Sequence, residues 1–275
     1  MKSPKVSIIM GIYNCEKTLK EAIDSILNQT YSNWEFIMCD DGSKDETYRI
    51  AEEYAKKDSR FVLLKNEKNM GLNYTLNKCL SEATGEYVAR MDGDDVSLPE
   101  RFEKQVKFLN DNPQFALVST GMSIFDESGE WGQLKTIEYP KIKDFCNHAP
   151  LFPHAAVMIR KEVFLDVGGY TVKKQLLRVE DCHLWYKIYS KGYKGANIKE
   201  NLYKMRDDRN AIARRTFSAR MNWIYVNWVG FKLVKMPWYR YIYALKITMS
   251  EIVKAILPKS IYKALHKRKQ RKLET

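Results

Sequence analysis

Residues 87–95 read Tyr-Val-Ala-Arg-Met-Asp-Gly-Asp-Asp: an apolar run of strand length that ends directly in clustered carboxylates. A strand that delivers acidic side chains at its carboxyl end is the mark of an open α/β sheet with a ligand at its rim. The residues before it repeat the pattern. Val6–Tyr13 is an apolar strand, followed by Leu19, Ala22, Ile23, Ile26 and Leu27 at helical spacing. Glu35–Cys39 is a second strand. Ser43-Lys-Asp-Glu46 then matches a capping box, predicting a helix from there to about Lys56. Phe61–Leu64 is a third strand, and Leu72, Leu76, Cys79, Leu80 and Ala83 mark a helix that Gly85 stops. After the acidic stretch, Ser97-Leu-Pro-Glu100 predicts a capped helix with Phe102, Val106 and Leu109 inward. Farther on the pattern loosens, with short strands at 116–119 and 155–160. A helix from about Asp181 to Lys191 turns Leu184, Trp185, Ile188 and Tyr189 inward.

Strands alternating with helices imply right-handed crossovers and a mostly parallel, Rossmann-like sheet flanked by helices. Tyr13-Asn14, Asp40-Asp41-Gly42-Ser43 and Asp92–Asp95 then fall at strand ends and converge. Composition agrees: 275 residues, 45% hydrophobic and 29% charged, suit one substantial α/β domain with an appendage. The five cysteines are odd in number and form no CxxC pair, which argues against a disulfide framework or a zinc knuckle and for a reducing compartment. Val6–Tyr13 lacks a cleavage site and reads as a strand, not a signal peptide.

The chemistry follows from the clusters. Side chains at i and i+2 of an extended segment point the same way, so Asp92 and Asp94 can present hard oxygens to Mg²⁺ or Mn²⁺, and such an ion neutralises a departing diphosphate. The competing structural reading is a solvated acidic turn. Val96 and Ser97 do not fit a calcium loop of the EF-hand type. Asp40 can accept the N3–H of a uracil ring, and Tyr13 offers an aromatic face; Asp41 and Ser43 also serve as helix caps. A phosphohydrolase aspartate pair belongs at the end of the first strand, where this chain has none. Glu180-Asp181, at the mouth of a helix anchored by Trp185, can take a proton from an attacking hydroxyl, or simply complement the helix dipole.

Taken together these residues resemble family-2 glycosyltransferases of the kind found in bacterial surface-polysaccharide assembly. Val6–Asn14, Cys39–Ser43, Asn69-Met-Gly71, Ala89–Asp95, Gly168-Gly-Tyr170 and Glu180–Trp185 occur in the family's order and spacing over residues 4–208. The resemblance implies a nucleotide-diphospho-sugar transferase fold of the GT-A type and an inverting transfer to a hydroxyl acceptor. It implies that Tyr13 and Asp40 contact the base, that Asp94 is the principal metal ligand, and that Asp92 orients ribose or metal. Asp95 faces the sugar or fixes the loop, and Arg206 reaches the diphosphate. The resemblance further implies Asp181 as the catalytic base, with Glu180 second, and His154 and Trp185 on the acceptor side. One departure stands out: the family's first strand carries Pro where Gly11 stands here. A sugar nucleotidyltransferase needs a glycine-rich basic loop after strand one, and Asn14-Cys-Glu-Lys17 is not one.

The net charge of +12 is lopsided. Residues 210–275 carry 15 Lys or Arg against Glu251 and Glu274, leaving −1 for the other 209 residues. Aromatic residues interleave with the basic ones from Phe217 to Tyr243, and Lys267–Lys272 is polybasic. No uncharged stretch approaches the roughly 20 residues that span a bilayer. The segment from 209 therefore reads as a basic, aromatic helical extension to a catalytic domain at 1–208. It suits an anionic membrane surface, here the cytoplasmic face of the plasma membrane. A helical subdomain packed on the core is the alternative; nucleic acid is disfavoured because no recognition module accompanies the charge. With a UDP-sugar donor, the expected acceptor is a saccharide on a polyprenyl diphosphate. A nucleotide-sugar-binding protein without turnover is the rival reading. The sugar, the linkage and the oligomeric state are not written in the sequence.

Overall fold

The structure, a computed structural model, describes residues 3–146, 151–207 and 216–256. Strands β1 (Val6–Ile12), β2 (Trp34–Asp40), β3 (Phe61–Lys65) and β4 (Tyr87–Arg90) alternate with helices α1 (Leu19–Leu27), α2 (Thr47–Lys57) and α3 (Leu72–Glu82). They pair in parallel in the order β3-β2-β1-β4. β5 (Val96–Ser97) and α4 (Arg101–Asp111) lead into β6 (Leu117–Asp126), which forms a hairpin with β7 (Gly129–Leu134). β8 (Met158–Arg160) inserts antiparallel between β4 and β6. After α5 (Lys161–Asp166) and α6 (Glu180–Ser190), β9 (Gly195–Arg206) lies parallel to β6, with β5 antiparallel on its outer edge.

The predicted α/β sheet is thus present, and six strands share one direction. The sheet as a whole is mixed, because β5, β7 and β8 run against the others. Since β6 is parallel in direction to β4, the carboxyl ends of β1, β2, β3, β4, β6 and β9 all reach the same rim.

Both faces of β1 are covered, which is why its sequence is a nearly unbroken apolar run. Val6, Ile8, Met10 and Ile12 pack against α1 and α4, whereas Ile9 joins Ile37, Cys39, Leu76 and the helices beyond on the other face. That second core includes Leu184, Trp185 and Ile188 of α6 as expected, and continues into α7 (Phe217–Leu233) and α8 (Tyr241–Ile256). Val226, Phe231 and Ala244 are buried there. A Cβ on Gly230 would come 2.1 Å from the Tyr186 ring, so α7 meets α6 where only glycine fits.

Both predicted capping boxes fail. α2 starts at Thr47 and α4 at Arg101, each without a side-chain cap. Ser43 Oγ accepts from the Asn14 N–H at 3.1 Å, and Ser97 belongs to β5. The strand predicted at 155–160 shortens because His154–Ala156 form a 3₁₀ turn. The boundary expected at 208/209 and the polybasic Lys267–Lys272 lie outside the described residues.

Candidate active site

The rim is built by register. Across β1 and β2 Ile12 stands opposite Asp40, and Asp40 opposite Lys65 of β3, so the loops that follow leave the sheet together. The β1–α1 loop is then fastened on two sides. Asn14 adopts φ 48°, a left-handed conformation that Asn tolerates. Besides the bond to Ser43, its Oδ1 accepts from Lys44 N–H at 2.9 Å, and Cys15 N–H donates to Thr47 Oγ1 at 2.8 Å. On the other side, Thr18 Oγ1 donates to the Gly93 carbonyl at 2.9 Å. A Cβ at Gly93 would lie 3.0 Å from Cys15 Sγ, so glycine lets the acidic loop close on this one.

Between the two loops lies a cleft of about 670 Å³. Tyr13, Asn14, Lys17, Arg90, Asp92, Asp94 and Arg206 are among its walls. Tyr13 is 45% exposed there, free to meet a flat ligand. Asp92 pairs with Arg90 at 2.7 Å, while Asp94 is exposed in the cleft. Desolvation within the cleft and then the neighbouring Asp92 raise the Asp94 carboxyl above the ordinary carboxylate value. A cation between two crowded carboxylates would relieve that repulsion, so the pair fits a hard divalent ion. Among the described residues no three His, Cys, Asp or Glu side chains gather as a metal cluster, so a cation held here would take its other ligands from substrate or water.

Arg206 closes the far wall. The β9 register brings it to the acidic loop, where its Nε donates to the Asp94 carbonyl at 2.9 Å and its guanidinium also pairs with Glu21. Asp95 turns away from the cleft. It is buried and accepts the Arg206 backbone N–H at 2.8 Å. Burial, then Asp92 and Asp94, hold its pKa well above the usual range. Asp40 is likewise enclosed, both oxygens accepting from Ser43 N–H at 3.2 and 3.3 Å, and it does not line the cleft. Its effect passes through Ser43 to Asn14. Asp41 fastens the Asn69-Met-Gly71 loop by accepting from Met70 N–H and Gly71 N–H at 2.8 and 2.9 Å.

The sequence reading assigned no role to Arg90, although a lone arginine ending a buried apolar strand signals a carboxylate partner. Burial alone would lower its pKa; Asp92 first, then Tyr170, Tyr203 and Glu180, hold it above the ordinary value. Its charge also acts on Asp181 and His154. Arg90, paired with Asp92, thus also acts through its charge on the start of α6. There burial, then Asp181, push Glu180 up to about 7, and burial raises Asp181 also. His154 Nε2 lies 2.7 Å from Tyr170 Oη, the tyrosine of the Gly168-Gly-Tyr170 motif. Burial and then Arg90 keep its imidazole neutral. Trp185 is enclosed and edge-on to Phe152 and His154, so it supports the histidine from behind.

Residues 7–169 match the model of glycosyl transferase family 2. The chain belongs to that family. The glycosyltransferase is 42% identical over 267 residues to EpsE of Bacillus subtilis, which also bears a glycosyltransferase name; the match covers 97% of this chain and 94% of the relative. It is 33% identical to the UDP-Glc:alpha-D-GlcNAc-diphosphoundecaprenol beta-1,3-glucosyltransferase WfaP of Escherichia coli, covering 70% of this chain and 73% of that one. Among solved structures, the mannosyltransferase PcManGT of Pyrobaculum calidifontis, in complex with GDP-Man and Mn²⁺, superposes with a TM-score of 0.65. It shares 20% identity with the glycosyltransferase, over 96% of this chain and 80% of that one. The shared architecture is the GT-A fold, and the cleft lies at the carboxyl rim of its sheet.

Proposed function

We propose that the enzyme moves a sugar from a UDP-sugar to a hydroxyl of a saccharide carried on a polyprenyl diphosphate, with inversion at the anomeric carbon, in bacterial polysaccharide assembly. The observation that carries this reading is the cleft that holds Asp92 and Asp94 beside Arg90, whose charge also acts on Glu180 and Asp181 at the start of α6. A relative that transfers from UDP-Glc to a diphosphoundecaprenol-linked sugar supports the choice of donor and acceptor.

In this reading Tyr13 lies along the base, and Asp40 keeps the base pocket in shape by fixing Ser43 and Asn14. Asp94, aided by Asp92, holds Mg²⁺ or Mn²⁺; bound there, the cation supplies neutralisation of the charge that grows on the leaving diphosphate. Arg206 adds a guanidinium on the same side. Asp181 takes the proton of the acceptor hydroxyl as that oxygen attacks the face opposite the diphosphate. Glu180 is the second candidate for this base. Arg90 holds Asp92 toward the donor and steadies the negative charge of the α6 pair. Neutral His154, pinned by Tyr170 and backed by Trp185, borders the acceptor side.

With such an acceptor the enzyme works at the cytoplasmic leaflet, where nucleotide sugars are made. Ile242, Leu245, Met249, Ile252, Val253 and Ile256 are all exposed and recur at helical spacing along α8. Such a stripe suits a helix lying in the headgroup region. Among the described residues no helix is long and apolar enough to cross a membrane.

The decisive test is turnover. A panel of nucleotide sugars with and without Mn²⁺ should reveal metal-dependent release of UDP, and Asp94→Asn should cut it by about 10²-fold or more while leaving the circular dichroism spectrum unchanged. Metal-independent turnover, or full activity in Asp94→Asn, would refute the assignment. For membrane docking, Leu245→Asp combined with Met249→Asp should abolish co-sedimentation with phosphatidylglycerol vesicles. Binding that persists would remove α8 as the contact.

A further inference from the structure

A second pocket, of about 310 Å³, lies beside the start of α6. Its walls are Arg178, Val179, Ala219, Arg220, Trp223 and Glu251. Arg178 and Val179 come immediately before Glu180 and Asp181, so the pocket adjoins the proposed base. Ala219, Arg220 and Trp223 belong to α7, and Glu251 belongs to the inner side of α8. The residues after Glu251 are Ile252 and Val253 of the exposed apolar stripe. The pocket therefore touches both the segment that leads into α6 and the helix that carries the exposed stripe.

Its composition is unusual for mere packing. Arg220 is 8% exposed and pairs with Glu251 at 2.8 Å, and Lys254 pairs with the same carboxylate at 2.6 Å. One guanidinium and one ammonium thus share a single carboxylate, leaving that cluster a net positive charge, and Arg178 adds a second guanidinium to the pocket wall. A buried ion pair adds little stability over apolar packing, so its presence points to a use. Arg178 supplies an independent sign. Its backbone has φ 65°, a left-handed conformation that a glycine adopts freely and a long side chain does not. Bulky residues held there cluster at ligand clamps. Arginine's planar fork suits phosphate oxygens, and Trp223 offers an apolar wall beside it.

We infer that this pocket seats the diphosphate of a prenyl-linked acceptor, with the saccharide directed to Asp181 and the prenyl chain to the outer face of α8. The inference rests on the acceptor class proposed above. Arg178 and Arg220 hold the phosphates, and Glu251 keeps Arg220 extended into the pocket.

Farnesyl diphosphate is the probe, titrated calorimetrically into the full chain beside inorganic pyrophosphate and phosphatidylglycerol vesicles. Farnesyl diphosphate should bind, and Arg178→Gln should weaken it about tenfold, the loss of one charged hydrogen-bonding group. Arg178→Gly, which also relaxes the backbone, should show the same loss and so separates ligand contact from folding. Asp94→Asn, on the donor side, should bind the probe as the parent does. Undiminished binding in both Arg178 variants overturns the proposal, as does binding lost in Asp94→Asn, which would place the probe in the donor cleft. Pyrophosphate binding as tightly as farnesyl diphosphate overturns the prenyl assignment, and vesicle binding that falls in Arg178→Gln as probe binding does overturns the diphosphate one. If no UDP-sugar is turned over while Arg178-dependent probe binding stays intact, the transferase reading fails and this pocket stands.

Discussion

Glu180 makes the α6 mouth measurable without any substrate. Its carboxyl is raised from the usual 4.5 to about 7 by burial and by Asp181 beside it. The folded protein therefore prefers the protonated form, whereas the unfolded chain ionises near the ordinary value. As pH rises from about 4.5 through 7, the folded state loses stability relative to a neutral side chain at this position. A tenfold change in proton affinity corresponds to about 1.4 kcal/mol, so the ceiling between pH 5 and pH 8 is about 2 to 3 kcal/mol. Glu180 keeps part of its surface, and water screens it; about 1 to 2 kcal/mol is the expected size. Replacing it by glutamine keeps the shape and removes the charge. Urea denaturation of Glu180→Gln and the parent across this range should show the variant gaining by that amount toward pH 8. In thermal melts the gain is a few degrees, at about 2 to 4 °C per kcal/mol for a chain approaching this size. A difference that stays flat with pH, or one that favours the parent at pH 8, refutes the claim that two crowded carboxylates sit in a desolvated mouth.

Asp181→Asn should lower kcat by about 10² to 10⁴, with little change in the affinity for UDP, because the base acts on the acceptor and not on the donor. Single-turnover kinetics with saturating donor checks this, and an unchanged rate would move the base elsewhere. Gly230→Ala forces a methyl into the Tyr186 ring and should cost about 3 kcal/mol or more in urea unfolding. A variant as stable as the parent would mean the two helices part easily.

The regular half of the molecule was legible because burial on both faces leaves a plain imprint. β1, β2 and β4 are largely apolar runs, and α1, α3 and α6 carry their inner residues at helical spacing. What escaped notice had no such imprint. β5 is two residues long, too short for any period. β7 is largely exposed and polar, with a sequence like that of the turn before it. The antiparallel entry of β8 is set by the hairpin and the 3₁₀ turn upstream, which no local pattern announces. The two capping boxes misled because the pattern Ser-x-x-Glu is satisfied by chance; Ser43 is spent on the neighbouring loop instead.

The candidate site was legible to a different extent. The convergence of strand-end loops follows from parallel direction alone, and Tyr13, Asp92, Asp94 and Arg206 do share one cleft. Which of several adjacent carboxylates faces outward is a matter of backbone turn, and spacing cannot decide it. Asp40 and Asp95 both lie inside, each accepting backbone N–H groups, whereas Asp94 between them in role is exposed. Arg90 was hidden in plain view, since an arginine within an apolar strand looks like an interruption until its two carboxylate neighbourhoods are brought together in space.

The seam between Gly230 and Tyr186 has a practical meaning for anyone exchanging parts between relatives. A C-terminal segment that merely tethered the enzyme would be interchangeable at the end of the last strand. Here α7 is seated on α6 by a fit with no spare volume. A graft that joins α7 and α8 of one relative to the body of another will fold only if the ring at position 186 travels with the notch that receives it.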